Sequence, residues 1–261
     1  MANTANFKSS EFQISSSRFM KTRIHILKSA EELAEQFAGQ LMDRIRESKS
    51  ETFHLAISGG KTPDLLFSKL AKRFADSPFW QKLHIWWVDE RMVVPTDPES
   101  NFGIANKLLF SKISIPEENI HRIKGENDPD EEALSYSAQI QQKLPQSKSW
   151  PVFDLILLGM GDDGHTASIF PDQLELLESE SVCAVAVHPQ SGQKRVTLTG
   201  KVLNNADAVI FLVTGSAKAQ RITEILNNKK EAGKLPAFYI KPAKGILDWY
   251  LDKEAIRGIS A

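Results

Sequence analysis

Short apolar runs alternate with amphipathic stretches along the chain from residue 22 onward. Four runs are mostly apolar without alternating with polar residues, and they cover residues 53–57, 85–88, 155–158 and 209–213. Continuous runs of this kind are typical of strands in a sheet that is covered on both faces. The pattern therefore predicts four buried strands.

Helical patterns separate these runs. Ser29 followed by Glu32 is a capping box, and apolar positions spaced for a helix of about five turns follow it, namely Leu33, Ala34, Phe37, Ala38, Leu41, Met42 and Ile45. Further helical patterns cover residues 64–74, 102–110, 131–144 and 217–226. This alternation predicts an α/β fold, with a doubly wound, mostly parallel sheet in a three-layer αβα arrangement. In such sheets, ligands bind beyond the carboxyl ends of the strands.

The balance of positive and negative charges argues against two classes of binding partner. The chain has 261 residues, with 32 Lys and Arg against 33 Asp and Glu, and it has no Lys/Arg-rich run. A nucleic-acid or anionic-membrane binder needs a surplus of positive charge, so we expect neither partner. No stretch approaches the roughly 18 apolar residues of a membrane helix. We predict one domain over residues 22–261.

The N-terminal segment and the cysteine content bear on location. Residues 1–21 are polar and rich in Ser, so we expect a flexible tail; an organelle transit peptide is the alternative, which Glu11 disfavours. Cys183 is the only cysteine and lies in an apolar run, which favours an inert core thiol. A chain without a possible internal disulfide is compatible with a reducing cytosol, and we predict a cytoplasmic protein.

A glycine-containing loop follows the first predicted strand. Two glycines permit a tight turn close to a ligand, Thr62 is a candidate helix cap, and Pro63 suits the first helical position. A helix start attracts anions, and the candidate ligands are Ser58, Gly59, Gly60, Lys61 and Thr62. The loop matches neither a Walker A nor a G-x-G-x-x-G motif. A glycine turn with no ligand is the alternative.

Charged residues follow the second strand. Arg91 offers a planar fork for a phosphate or carboxylate, while Asp89 and Glu90 are candidates to hold this arginine or to meet sugar hydroxyls. A solvated salt bridge is the alternative. Ser100 and Asn101 precede the next helical pattern, and Asn101 is a candidate to face the site.

The loop after the third strand has the composition of a catalytic loop. It reads GMGDDGHTASIFP and places Asp163 two residues before His165, with Gly161 among its glycines. Histidine has an unperturbed pKa of about 6.5, which suits proton transfer near neutral pH. A carboxylate nearby can orient the ring and stabilise its cation. We therefore interpret His165 and Asp163 as a catalytic pair, although an isolated histidine is usually structural.

Two further cations are candidates for binding an anion. Lys218 follows the fourth strand and lies in the predicted first turn of a helix, where a cation opposes the helix dipole unless an anion binds there. Arg195 lies in the alternating run RVTLT. An exposed lysine without a ligand is the alternative for Lys218.

Seven strings in order resemble the 6-phosphogluconolactonase family, and they are SGGKTP, WWVDER, ESNF, LGMGDDGHTASIFP, RVTLTGKVLNNA, FLVTGSAKA and LPAFYIKP. The resemblance extends over about residues 22–251. Glucosamine-6-phosphate deaminases share the G-x-G-x-D-G-H element but continue with A-F-N-E-P, whereas this chain continues with TASIFP. Lys61 stands where lactonases often have serine.

The resemblance implies a modified Rossmann-like fold and hydrolysis of 6-phospho-D-glucono-1,5-lactone in the oxidative pentose phosphate pathway, without a metal or organic cofactor. It also implies that His165 is the general base, that Asp163 supports it, and that the loop 59–62 binds the phosphate together with Arg91 and Lys218. A deaminase and a non-catalytic sugar-phosphate sensor are the competing hypotheses. Both a monomer and a weak homodimer are compatible with the sequence.

Overall fold

The fold is built around one large sheet, which in the described part of the chain (residues 10–14 and 22–257 of the computed structural model) has eight strands. The strands of the fold are β1 (Ser10–Ile14), β2 (Thr22–Leu27), β3 (Phe53–Ile57), β4 (Leu83–Trp87), β5 (Asp89–Arg91), β6 (Ile120–His121), β7 (Gln146–Ser147), β8 (Trp150–Pro151), β9 (Leu155–Leu158), β10 (Cys183–Val187), β11 (Lys194–Leu198), β12 (Ala208–Val213) and β13 (Ile246–Asp252). The α-helices are α1 (Ala30–Glu47), α2 (Lys61–Phe74), α3 (Asn101–Leu108), α4 (Pro129–Lys143), α5 (Gly200–Leu203) and α6 (Ala219–Leu226).

The large sheet has the strand order β1-β2-β13-β12-β9-β3-β4-β6, and all neighbours except β1 and β2 are parallel. Strands β3, β9 and β12 are buried at every position, which agrees with their continuous apolar sequences. Helices flank the sheet, so the predicted α/β fold class is confirmed. Because β3, β9 and β12 are parallel neighbours, the loops that follow them meet at one edge of the sheet.

The predicted helices form with small shifts at their ends. In α1 the Ser29 hydroxyl accepts a hydrogen bond from the Glu32 N–H at 3.2 Å, and the seven predicted apolar positions are all buried. Phe37 of this helix packs edge-on against Tyr250 of β13. On α4, the buried Tyr136 hydroxyl accepts a hydrogen bond from the Trp87 N–H at 2.8 Å. None of the described helices is long and apolar enough to cross a membrane.

A smaller antiparallel sheet, which the sequence patterns did not predict, contains β10, β11 and β5. Strand β5 directly follows the end of β4, so this sheet begins at the edge where the loops of the large sheet meet. Its register places Arg195 opposite Arg91 and Thr197 opposite Asp89. Two candidate site residues from distant parts of the sequence are thereby adjacent.

The N-terminal segment forms part of the large sheet, because β1 pairs antiparallel with β2. The polar, Ser-rich sequence of this segment does not indicate a strand. The expected tail at residues 1–9 and 15–21 lies outside the described residues. Cys183 is buried as expected, and burial raises the pKa of its thiol to about 12, which suppresses the reactive thiolate.

Three histidines that are separated in sequence form a cluster on β3, β4 and β6. His84 Nδ1 lies 3.0 Å from His121 Nε2, and the Trp86 indole N–H donates to His54 Nδ1 at 3.2 Å. Burial, followed by His84 and Lys143, lowers the pKa of His54 to about 4, while burial and Lys143 lower that of His121 to about 3. Because an indole only donates, His54 must remain unprotonated at Nδ1. Among the described residues, no three His, Cys, Asp or Glu side chains are placed to hold a metal ion.

This cluster predicts acid destabilisation. Above about pH 6.5 the histidines are neutral in both states, but between about 6.5 and 4 the unfolded chain binds protons that the folded protein does not. The free energy of unfolding should therefore fall as the pH falls through this window. Urea unfolding at successive pH values should show His54→Gln losing about 1–3 kcal/mol less than wild type. Equal pH dependence in the two proteins would contradict the assignment.

Candidate active site

The loops after β3, β9 and β12 enclose a cavity of about 610 Å³ at the carboxyl edge of the sheet. Its lining includes twelve residues that bear on the prediction, namely Ser58, Gly59, Gly60, Lys61, Thr62, Asp89, Arg91, Asn101, Gly161, His165, Arg195 and Lys218. The structure therefore brings together twelve of the fourteen candidate site residues. The other two, Asp163 and Glu90, do not line the cavity and contact its residues from behind.

A carboxylate orients the cavity histidine. Asp163 Oδ1 lies 2.7 Å from His165 Nδ1 and also accepts the His165 backbone N–H at 3.0 Å. An ionised carboxylate only accepts hydrogen bonds, so Nδ1 carries the hydrogen and Nε2 is the basic nitrogen. Burial raises the pKa of Asp163. The hydrogen bond with His165 and the electrostatic attraction to this residue have the larger effect, and the pKa of Asp163 is lowered below its ordinary value. Asp163 thus remains an anion that can stabilise a protonated His165.

Gly161 is required by this pair because the two side chains pack directly against its Cα. A Cβ at this position would lie 2.2 Å from His165 Nδ1 and 2.6 Å from Asp163 Oδ1. The Gly161 N–H also donates to the His165 carbonyl at 2.9 Å, which closes the loop. The glycine therefore provides the space that the hydrogen-bonded pair occupies.

The loop after β3 ends in an uncapped helix start. Helix α2 begins at Lys61, and its cap residue is Gly60, with φ at 116° and no side-chain hydrogen bond. The prediction that Thr62 caps the helix is wrong, because Thr62 lies inside the first turn and its hydroxyl is 2.8 Å from that of Thr214. The helix begins three residues before the predicted pattern at residue 64, and Pro63 is its third residue and not its first. The Ser58 hydroxyl donates its hydrogen to the Leu157 carbonyl at 2.9 Å. The N–H groups in the first turn of a helix have no partner within the helix, so they are the donors that this loop offers to a ligand.

Glu90 has a structural role that the sequence did not reveal. Its buried carboxylate accepts the N–H groups of Arg91, Asn101 and Phe102 at 2.8 Å each and the Ser100 hydroxyl at 3.2 Å. Burial raises the pKa of Glu90, although these donors oppose the shift. The expectation that Glu90 contacts a ligand is corrected, because both of its oxygens bind the start of α3.

Asn101 is one of the residues that this carboxylate positions. Its amide donates to the Asp89 carbonyl at 2.8 Å, and a Cβ on Gly59 would lie 1.8 Å from its Oδ1. The Asn101 side chain therefore fits against the loop after β3 because residue 59 is glycine.

The small sheet contributes a pair of arginines to the cavity. Arg91 and Arg195 are opposite each other, and the Nε atom of each is buried without a hydrogen-bond partner within the described residues. Asp89 partly balances them, with its Oδ2 accepting the Ser168 hydroxyl at 2.6 Å. Like charges at paired positions of two strands repel each other, so an anion bound between them would be stabilising.

Lys218 is held by a carboxylate from the loop after β9. It ends a short 3-10 helix (Ser216–Lys218) before α6, and its ammonium forms an ion pair with Asp162. Burial lowers the pKa of Lys218 below its ordinary value. The adjacent Gly215 N–H donates to the Asp252 carboxylate at 3.0 Å, which fixes this turn at the end of β13. Asp162 lies in the predicted catalytic string, whereas no pattern indicated Asp252.

Comparisons with known proteins agree with this geometry. The family model described as glucosamine-6-phosphate isomerases/6-phosphogluconolactonase matches residues 28–249. The 6-phosphogluconolactonase of Haemophilus influenzae is 47% identical over 205 residues, which cover 78% of this chain and 86% of that protein. That of Aggregatibacter actinomycetemcomitans is 42% identical over 230 residues, covering 88% and 94%. The crystal structure of the Thermotoga maritima 6-phosphogluconolactonase superposes with a TM-score of 0.78 at 30% identity, covering 89% of this chain and all of that one.

The packing of Gly161 gives a structural prediction. Gly161→Ala should displace the His165 ring and break its hydrogen bond with Asp163, because the new methyl group would overlap the imidazole. Gly159→Ala is the matched control, since a Cβ there meets nothing within 4 Å. Crystal structures of both variants measure the Nδ1–Oδ1 distance, which should exceed hydrogen-bonding range only in Gly161→Ala. An unmoved ring in that variant would refute the packing argument.

Proposed function

The chain belongs to the family of glucosamine-6-phosphate isomerases and 6-phosphogluconolactonases, and on this premise we propose that it hydrolyses 6-phospho-D-glucono-1,5-lactone with His165 as general base. The product is 6-phosphogluconate, and the reaction belongs to the oxidative pentose phosphate pathway. The observation that carries the proposal is that the lining of one cavity contains a carboxylate-oriented histidine together with four cationic side chains, those of Lys61, Arg91, Arg195 and Lys218.

The histidine supplies the proton transfers of the reaction. Neutral His165 accepts a proton at Nε2 from a water molecule, whose oxygen forms a bond to the lactone carbonyl carbon. The tetrahedral intermediate then collapses, the bond between this carbon and the ring oxygen breaks, and His165 returns the proton to that oxygen. Asp163 stabilises the imidazolium between the two transfers. The carbonyl oxygen becomes an oxyanion, for which one well-placed donor contributes roughly 3–4 kcal/mol.

The phosphate binds at the cationic end of the cavity. The N–H groups of the loop 59–62 and the start of α2 face it, and Arg91 and Lys218 supply positive charge. Arg195 lies beside Arg91 and completes this group. Asp89 faces the sugar hydroxyls, while Ser58, Glu90 and Asn101 position the loops. Binding energy from the phosphate, which does not react, is used to position the ester near His165.

The direct test is lactone hydrolysis measured against the spontaneous rate, because this lactone also opens unaided. Wild type should accelerate hydrolysis, and His165→Ala should lose about 10²- to 10⁴-fold in kcat while binding 6-phosphogluconate within a fewfold of wild type. His84→Ala, which removes a histidine of β4 outside the cavity lining, serves as the control and should leave kcat unchanged.

Three other outcomes, two of them from this assay and one from an assay with glucosamine 6-phosphate, would contradict the proposal. Equal losses of turnover and product binding in His165→Ala would contradict its role as base. A wild-type protein that binds 6-phosphogluconate without accelerating hydrolysis would be a sensor, and release of ammonia from glucosamine 6-phosphate would identify a deaminase.

The phosphate assignment gives a second prediction. Arg91→Met and Lys218→Met should each raise KM about tenfold and weaken its dependence on salt, with a smaller effect on kcat, because they remove binding that substrate and transition state share. Arg46→Met, which removes a charge on the surface of α1, is the matched control. Unchanged KM values in both cavity variants would contradict the assignment.

A further inference from the structure

Asp162 and Lys218 form an ion pair across the cavity, between the loop after β9 and the turn after β12. The two side chains differ in exposure, since that of Lys218 is 22% exposed and that of Asp162 is 68% exposed. The lysine is thus largely enclosed at the cavity, whereas the carboxylate reaches it from the solvent side. Neither the histidine chemistry nor the phosphate site requires this carboxylate.

We propose that Asp162 is an internal competitor of the phosphate group for Lys218, and that it sets how tightly the enzyme retains phosphorylated ligands. This inference rests on the proposed function, because it requires the phosphate to bind Lys218. Asp162 offers the ammonium one negative charge, whereas the phosphate brings up to two, and the two anions repel each other at close range. A phosphate that reaches Lys218 must therefore displace the Asp162 carboxylate.

The structure allows this exchange at low cost. The displaced carboxylate is already largely exposed, so it returns to water without leaving a buried charge unpaired. Arg221 Nε donates to the Asp162 carbonyl at 3.4 Å, which holds the backbone while the side chain rotates. The adjacent Asp163 and His165 keep their own hydrogen bond. Lys218 thus has an anionic partner both before ligand binding and during it.

The competition weakens the binding of substrate, product and inorganic phosphate alike, because all of them present the same group. Weaker uniform binding raises KM without lowering the rate of the chemical step. It also speeds the departure of 6-phosphogluconate, which retains the phosphate. The function of Asp162 would then be to limit inhibition by product and by phosphate.

The test is the affinity of Asp162→Asn for 6-phosphogluconate and for inorganic phosphate, measured by calorimetry. Both dissociation constants should fall about threefold to tenfold, because the variant removes a competing ion pair and a negative charge beside the bound anion. KM should fall in parallel while kcat does not rise. Asp162→Glu retains the competing charge and should resemble wild type.

Two controls separate this competition from other effects. Asp172→Asn removes the same charge from an exposed position outside the cavity lining and should leave both affinities unchanged. In a Lys218→Met background, Asp162→Asn should no longer improve binding, because the contested cation is absent.

The outcomes distinguish the inference from the function on which it rests. If Lys218→Met weakens phosphate binding but Asp162→Asn leaves it unchanged or weakens it, the competition is refuted and the phosphate site stands. If Lys218→Met leaves binding unchanged, Lys218 is not a phosphate ligand, and both the assignment and the competition fail. Improved binding in Asp162→Asn that persists without Lys218 would also overturn the inference.

Discussion

The hydrogen bond between Asp163 and His165 is the constraint on which the chemistry of this cavity depends. At 2.7 Å it fixes the tautomer and the orientation of the imidazole, so that Nε2 is the nitrogen available to accept a proton. The bond exists because residue 161 is glycine and leaves room for both side chains. Strand β9, at the centre of the sheet and buried on both faces, delivers this loop to the edge where the cations lie. A central position gives the loop a rigid base, as the proposed proton transfer requires.

The cations are local, which reconciles an anionic ligand with a formal net charge of −1. The register of the small sheet places two arginines opposite each other, and an anion bound between them would relieve their repulsion. Lys218 follows β12, which is separated from β4 by β9 and β3, and it pairs with Asp162. The cations of this cavity thus have different anionic partners within the protein. Lys218 has the exposed Asp162 carboxylate, whereas Asp89 partly balances the arginines.

The sequence was most informative where local pattern and tertiary environment agree. Strands β3 and β9 lie at the predicted residues, because a short continuous apolar run is buried most readily in a strand whose sheet is covered on both faces. Strands β2 and β13 were missed because charged residues interrupt them. Arg23 of β2 and Asp248 of β13 pair through two hydrogen bonds of 2.9 and 2.6 Å, so that the partly exposed arginine offsets the cost of burying the Asp248 carboxylate. A pairing between residues so distant in sequence is not visible in either segment alone.

The rule that ligands bind at strand ends predicted most of the cavity lining, because parallel strands bring their carboxyl ends together. It could not reveal the roles of Glu90 and Thr62, because acidic and hydroxyl side chains after a strand can contact either a bound ligand or the first turn of a helix. Only the packing of α3 shows that the Glu90 carboxylate binds backbone N–H groups. The competition at Lys218 was equally hidden, since Asp162 and Asp163 are adjacent identical residues whose partners differ.

The most direct test of the proposed mechanism is a crystal structure of the protein with bound 6-phosphogluconate. We expect the C1 carboxylate of the product within hydrogen-bonding distance of His165 Nε2. The phosphate should lie among the N–H groups of the loop 59–62, Arg91 and Lys218, with the Asp162 carboxylate displaced from the lysine. A product bound in the opposite direction, with its phosphate at His165 and its carboxylate at the cations, would contradict the proposed mechanism.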